Sequence, residues 1–353
     1  MIISKTPCRL SFAGGGSDIA SYYREHGGAV VSVAIDKYVY LTLQQRFDSS
    51  IRIGYSRTEE VQRVDEIQHP IVRHCLNLMG PSKGIEITSH ADIPSRGSGL
   101  GSSSSFSVGL LNGLHAYQGR RVAPQQLAEL ACHVEIDLCG DPIGKQDQFA
   151  AAFGDLRMYR FHQDGSVSVE PLICSTATIE KLEHNLMMFY TGMTRSAGDI
   201  LKVQTEVLGS RQDAIQQMHR MVQHAYDVRH ELENGNPDGV GEILHETWLL
   251  KRSLTSGISN PAIDAWYEAA RAAGAVGGKI LGAGGGGFLL LYVRRDRQAE
   301  VKAALKELRH IPFRFEREGS KIIFYNPTTL DPGREEQESE EQEEQEREKR
   351  SGL

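Results

Sequence analysis

From Pro94 the chain runs Ser95-Arg96-Gly97-Ser98-Gly99-Leu100-Gly101-Ser102-Ser103-Ser104-Ser105 and then passes without a break into a helical pattern. This junction constrains the fold more than any other feature. Glycines let a backbone approach a ligand closely and turn its N–H groups inward. A helix that follows adds its unpaired N–H groups and the positive end of its dipole. Phe106, Leu110, Leu114 and Tyr117 recur at helical spacing, so a helix is expected to start within the serines. Together these parts make a phosphate site; the alternative is a flexible Gly/Ser turn that holds nothing. Two common nucleotide loops are excluded. No Lys-Ser/Thr follows, as the P-loop requires, and the glycines lack the dinucleotide-binding spacing after a first strand.

Two further glycine clusters flank apolar runs. One is Pro7-Cys8-Arg9-Leu10-Ser11-Phe12-Ala13-Gly14-Gly15-Gly16-Ser17-Asp18, and the other is Lys279-Ile280-Leu281-Gly282-Ala283-Gly284-Gly285-Gly286-Gly287-Phe288. Around them, strands are expected at 28–35 and 39–43, at 85–87, 156–159 and 167–169, and later at 186–190, 289–293 and 322–324. Helices are expected after the serines, from Pro124, through Ile215, Met218, Val222 and Ala225, from Ile263 to a stop near Gly274, and around Val301 to Leu308. Strands and helices do not alternate as repeated βαβ units, so the order reads as α+β. A chain of 353 residues suffices for two domains of ordinary size, with the boundary expected near Pro171.

Charge excludes one class of partner. The net charge is −7, but the segment from Arg334 to Arg350 carries nine Glu against four Lys/Arg. The remainder is nearly neutral, which argues against nucleic acid. The segment from 331 onward has almost no apolar residue and is expected to be a disordered acidic tail. No apolar run approaches the length of a membrane span, and the N-terminus lacks the apolar core of a signal peptide. The five cysteines are scattered and form no C-x-x-C pair. They read as reduced thiols in a cytoplasmic protein without a zinc site.

The three glycine clusters together resemble the signature motifs of the GHMP kinases, over about residues 3 to 326. The central loop carries the most specific match, Pro94 followed by Gly99-Leu100-Gly101-Ser102-Ser103. Where galactokinases carry a Glu-His pair, this chain has Gly14-Gly15-Gly16-Ser17-Asp18, which argues against that branch. Gly144-Lys145-Gln146-Asp147-Gln148, with Ala34 to Val39 and Tyr190 to Ala197, resembles the heptose kinase and fucokinase branch. The resemblance implies a two-domain α+β fold. Its N-terminal domain, 1–171, would be ribosomal protein S5 domain 2-like, and its C-terminal domain, 172–330, ferredoxin-like. The active site would lie in the cleft between them.

It also implies roles for individual residues. ATP is the expected donor, its phosphates held by Gly97, Ser98, Gly99, Leu100, Gly101, Ser102, Ser103 and Ser104. Ser103 and Glu135, the latter in the helix after Pro124, match the ligands of a magnesium ion. Asp147, twelve positions after Glu135, matches the general base, which takes the proton of the acceptor hydroxyl. Arg9 matches the cation beside it and would stabilise negative charge on the group in transfer. Gly15, Gly16 and Asp18 match sugar contacts. An acceptor that already carries a phosphate needs a cation at its far end, for which Arg195 is the first candidate and Lys202, Lys251 and Arg252 are others. The third glycine cluster would pack against the nucleotide and the first cluster.

The implied reaction is ATP-dependent phosphorylation of the anomeric hydroxyl of D-glycero-α-D-manno-heptose 7-phosphate. The same chemistry on L-fucose is the second reading, and a non-catalytic sugar and ATP sensor is the third. Arg9, Ser103, Glu135 and Asp147 are all present, which speaks against the sensor. The expected partners are the sugar phosphate and ATP, with no nucleic acid or membrane; a homo-oligomer stays open.

Overall fold

The computed structural model describes residues 1–94, 97–193 and 197–326. Its strands are β1 (Ile2–Ala13), β2 (Gly28–Gln45), β3 (Ile51–Gly54), β4 (Thr58–Val61), β5 (Ile85–Ala91), β6 (Leu156–Phe161), β7 (Val167–Pro171), β8 (Leu186–Tyr190), β9 (Gly277–Ile280), β10 (Phe288–Tyr292), β11 (Arg309–His310) and β12 (Lys321–Tyr325). Its helices are α1 (Ala20–His26), α2 (Pro70–Met79), α3 (Ser102–Tyr117), α4 (Pro124–Cys132), α5 (Gln146–Phe153), α6 (Thr176–Asn185), α7 (Ala197–Ser210), α8 (Gln212–Glu233), α9 (Pro237–Leu254), α10 (Pro261–Ala272) and α11 (Gln298–Ala304). Among the described residues no helix is long and apolar enough to cross a membrane.

The strands form an eight-stranded sheet and a four-stranded sheet. β2 is long enough to serve two neighbours on one side. Its first part, Gly28 to Val33, pairs with β6, and its second, Val39 to Gln45, pairs with β5. The sequence carries the reason. The first part is apolar except for Ser32 and buried on both faces, whereas Val39, Leu41 and Leu43 alternate with half-exposed Tyr40, Thr42 and Gln44. That alternation gives one covered and one open face. The smaller sheet runs β11-β8-β10-β9, all antiparallel.

Three apolar clusters hold these layers. One lies between the large sheet and its helices and includes Leu41, Ile87, Leu110, Leu127 and Phe149. A second joins the two halves of the chain, bringing Leu10, Phe12 and Val33 against Met188, Leu244 and Leu290. The third, with Met187, Phe189, Leu291, Trp248 and Tyr267, covers the other face of the small sheet. Met187 and Met188 thus feed opposite cores, as adjacent strand residues must. The second cluster is shared, and both halves also contribute walls to the central cleft.

Three expectations need correction. β12 does not belong with the second half in space: it pairs with β1 in the large sheet. A division near Pro171 therefore does not by itself separate the two sheets. The return is driven by an open edge on β1, which a final apolar strand can cover. Glu135 is not in the helix that starts at Pro124. That helix ends at Cys132, and a π-helical turn, His133–Leu138, carries the glutamate. The wider turn lets a charged residue point inward where a regular helix would have continued its apolar face. Finally, α11 stops at Ala304, before Leu305 and Leu308, which still bury their side chains as part of the connecting turn.

Candidate active site

The glycine and serine run does end in a helix. Gly101 is the residue before α3, in the left-handed conformation, and Ser102 to Ser104 form its first turn. Ser102 and Ser104 are buried, while Ser103 between them is exposed and lines the central cleft. The N-terminal turn of α3 and the Ser103 hydroxyl therefore face the same space. Leu100 departs from expectation. Its side chain is fully buried in the core shared by the two halves. Its N–H donates to Ser98 Oγ at 3.3 Å and its carbonyl accepts from the Arg9 N–H at 3.0 Å. Leu100 braces the loop through its side chain, and its N–H is engaged by Ser98.

The third glycine cluster is packed against this loop and shares a buried core with the first cluster, in which Leu281 and Phe288 lie with Leu10 and Phe12. A Cβ built on Gly99 would lie 2.4 Å from the carbonyl oxygen of Leu281. Lys279 adds a polar contact to the first cluster, its buried Nζ donating to Phe12 O at 3.1 Å.

Arg9, in β1, reaches Asp147, in the first turn of α5, through two parallel bonds. Its Nε donates to Oδ1 and its Nη2 to Oδ2, both at 2.8 Å. Its third donor, Nη1, holds the carbonyl of Gly99 at 2.6 Å. One guanidinium thus ties the candidate base to the phosphate loop, which a lysine's single ammonium could not do with the same geometry. Gln146 adds a bond from Nε2 to Asp147 Oδ1 at 3.1 Å and accepts from Ser11 Oγ at 3.1 Å. Sequence reasoning assigned Gln146 no role; its position beside Asp147 was the available signal. Asp18 is buried and accepts from the N–H groups of Gly16 at 2.9 Å and Gln146 at 3.1 Å. Burial pushes its carboxyl above the usual range, and the nearby charge of Asp147 adds to this. A Cβ on Gly144 would sit 1.9 Å from Asp18 Oδ2, so the motif glycine is there to leave room for that carboxylate.

Glu135 lies one layer behind Ser103. It is fully buried. Its Oε1 accepts from Ser103 Oγ at 3.2 Å, and its Oε2 from Gln148 Nε2 at 2.7 Å. Burial pushes its carboxyl up to about 7, against the opposing hydrogen bonds from Ser104, Gln148 and Ser103. No cation among the described residues forms an ion pair with it, and the Gln148 Oε1 beside it is buried with no hydrogen-bond partner. Hard oxygen donors with an uncompensated charge fit a magnesium ion. Gln148 is a further residue that sequence reasoning passed over, although it stands in the quoted motif.

The metal-free protein carries a measurable consequence. A carboxyl raised from 4.5 to about 7 keeps its proton in the folded state while the unfolded chain has released it. Stability therefore falls as pH rises across that window. Glu135→Gln keeps the acceptor and removes the charge. In denaturant titrations without divalent cations, the variant should gain about 2–3 kcal/mol on the parent between pH 5 and pH 8. An equal difference at both pH values would show that the carboxylate is not penalised by its surroundings.

Arg9, Gly15, Gly16, Asp18, Ser103 and Asp147 line one cleft of 1150 Å³. Its far end, beyond the loop, is aromatic. His69 stacks on Phe106 with ring centres 5.0 Å apart, and Tyr55 meets His69 edge-on at 4.8 Å. These three rings come from separate segments, and no local pattern announces them. Of the cations expected at the sugar phosphate, Arg195 lies outside the described residues. Lys202 is exposed, Arg252 pairs with Asp264 at 3.4 Å, and Lys251 alone of the three lines the cleft.

Comparison with known proteins places this arrangement. Residues 67–155 match the GHMP kinases N terminal domain and residues 228–310 the GHMP kinases C terminal domain. The D-glycero-alpha-D-manno-heptose 7-phosphate kinase of Campylobacter jejuni is 30% identical over 334 residues, covering 91% of this chain and 98% of that protein. The bifunctional fucokinase/GDP-fucose pyrophosphorylase of Arabidopsis thaliana is 29% identical, over 85% of this chain but only 31% of that protein. A solved structure, a D-glycero-D-manno-heptose 1-phosphate kinase from Bacteroides thetaiotaomicron, superposes with a TM-score of 0.77 at 27% identity, covering 92% of this chain and 100% of that one.

Proposed function

We propose, starting from the fact that this chain belongs to the GHMP kinase family, that this sugar kinase transfers the γ-phosphoryl group of ATP to the anomeric hydroxyl of D-glycero-α-D-manno-heptose 7-phosphate. The product is the 1,7-bisphosphate, an intermediate suited to activated-heptose (GDP-heptose) supply for surface polysaccharide. Free cysteines and small phosphorylated substrates suit the cytoplasm. The carrying observation is the Arg9–Asp147 pair, held by two bonds of 2.8 Å beside the first turn of α3. The choice of heptose rests on the similarity to the Campylobacter and Bacteroides proteins.

In this reading the aromatic end of the cleft takes the adenine, and the α3 turn takes the phosphates through its N–H groups and Ser103. Phosphoryl transfer asks mainly for positioning and charge stabilisation. Asp18, Gly15 and Gly16 orient the sugar. Asp147 accepts a hydrogen bond from the anomeric hydroxyl and takes its proton as the oxygen bonds to phosphorus and ADP leaves. Two of the lone-pair positions on Asp147 are filled by Arg9 and a third by Gln146, which leaves one to receive that proton. Ser103 and Glu135 would hold the magnesium ion, which when bound offsets phosphate charge.

ADP release should be measured with Mg-ATP against D-glycero-D-manno-heptose 7-phosphate, the unphosphorylated heptose, L-fucose and D-galactose. Strong preference for the heptose 7-phosphate is expected. Preference for L-fucose, the reading favoured by the Arabidopsis relative, would keep the kinase and change the acceptor. ATP binding without turnover on any sugar would overturn the proposal.

A further inference from the structure

We infer that Lys251 is the second cation of the active centre, holding a phosphoryl group on the acceptor side of the cleft. The inference rests on the kinase reading above and adds to it a residue from the C-terminal half.

The starting observation is a buried charge without a counter-charge. Lys251 stands near the end of α9 and is 5% exposed. Its Nζ donates to the carbonyl of Gly282, in the third glycine cluster. No carboxylate of the described residues lies within ion-pair distance of it, whereas Arg9, equally buried, is paired on both sides with Asp147. A buried ammonium facing only a carbonyl is costly to keep unless something else meets its charge. A carbonyl also uses one of its three N–H donors.

The cleft itself says what that partner is. Lys251 lines it together with Asp18 and Asp147, and its proton is felt by those two carboxylates and by Arg9. Burial, helped by Arg9, lowers it only to about 8, so at neutral pH the ammonium is still charged. Lys279 lines the same cleft and is also buried, but burial, with the charges of Lys251 and Arg9, pushes its pKa well below the usual lysine range, and its Nζ donates to Phe12 O at 3.1 Å. Lys251 is therefore the charged donor available to an incoming anion beside the sugar site. The Gly282 bond also links it to the loop that braces Gly99, which ties the anion to the geometry of the phosphate cradle.

A phosphoryl group can reach this position from two sources: the phosphate carried by the acceptor sugar, or the group in transfer. Lys251→Met and Lys251→Gln, the latter keeping a donor for Gly282, separate them in steady-state kinetics. For the acceptor's own phosphate, KM for the heptose 7-phosphate rises on the order of 10- to 100-fold. In that case kcat and KM for ATP hold, and turnover of the unphosphorylated heptose is unmoved. For the group in transfer, kcat falls by a similar factor on both acceptors with KM little changed. Either pattern, with Lys251→Arg recovering a substantial part, supports the assignment. Parental kinetics in both charge-removing variants would overturn it, and so would inactivity from unfolding that Lys251→Arg shares, since the residue would then be structural. Inactivity of the unaltered enzyme on every sugar would instead defeat the kinase reading.

Discussion

Replacing Asp147 with asparagine is expected to lower turnover by about 10²–10⁴-fold and leave binding of an ATP analogue nearly unchanged. The amide has almost the shape of the carboxylate and can still accept from Arg9 Nε. What it loses is the capacity to take a proton. Its NH2 group also meets Arg9 Nη2, so one of the two 2.8 Å bonds becomes a donor facing a donor. The phosphate cradle stands on α3, not on α5, and Arg9 Nη1 keeps its own bond to the Gly99 carbonyl, so the cradle is expected to hold. Single-turnover kinetics with a calorimetric ATP-analogue titration checks both halves. Turnover within a few-fold of the parent would show that Asp147 positions the hydroxyl and Arg9 without acting as base.

The second large effect comes from one methyl group. Gly99→Ala should destabilise the fold by about 2–5 kcal/mol, since a left-handed backbone costs an L-residue roughly 1–2 and overpacking adds roughly 1–3. Gly99 has φ +76°, and its new Cβ would stand 2.4 Å from Leu281 O and 2.8 Å from Leu281 C. Both are backbone atoms, so the third glycine cluster must move away from the loop. ATP affinity should fall with it. Gly140→Ala supplies the comparison. Its φ is +71° and nothing lies within 4 Å of its Cβ, so it costs only the backbone part, about 1–2 kcal/mol. Denaturant titration of both variants isolates the contact; a difference below roughly 0.5 kcal/mol, the usual scatter of such comparisons, would mean that the two loops are not locked together.

Much of this was legible along the chain. The serine run opening a helix, the continuous and the alternating stretches that join as β2, and the buried β8 and β10 follow from spacing alone. Proline set the start of α4. These are local properties, since period and capping act within a few residues. The pairing of Arg9 with Asp147 could be anticipated only through the resemblance of three separate motifs. Their 138-residue separation carries no local signal.

Sequence by itself determined the elements of strongest period, such as α3, α8, α10, β8 and β10, the phosphate-holding loop and the kinds of residue available for chemistry, because backbone propensity and side-chain type are written residue by residue. Tertiary structure alone decided which of those residues meet. It turned Glu135 inward on a π-helical turn behind Ser103, sent β12 back to β1, and gathered Tyr55, His69 and Phe106 into one aromatic end. It also chose Lys251 from among the basic residues of the second half, burying its charge in the cleft while Lys202 stayed at the surface and Arg252 took Asp264. Charge becomes selective only when burial removes water from around it, and burial is a property of the assembled layers, not of any stretch of sequence.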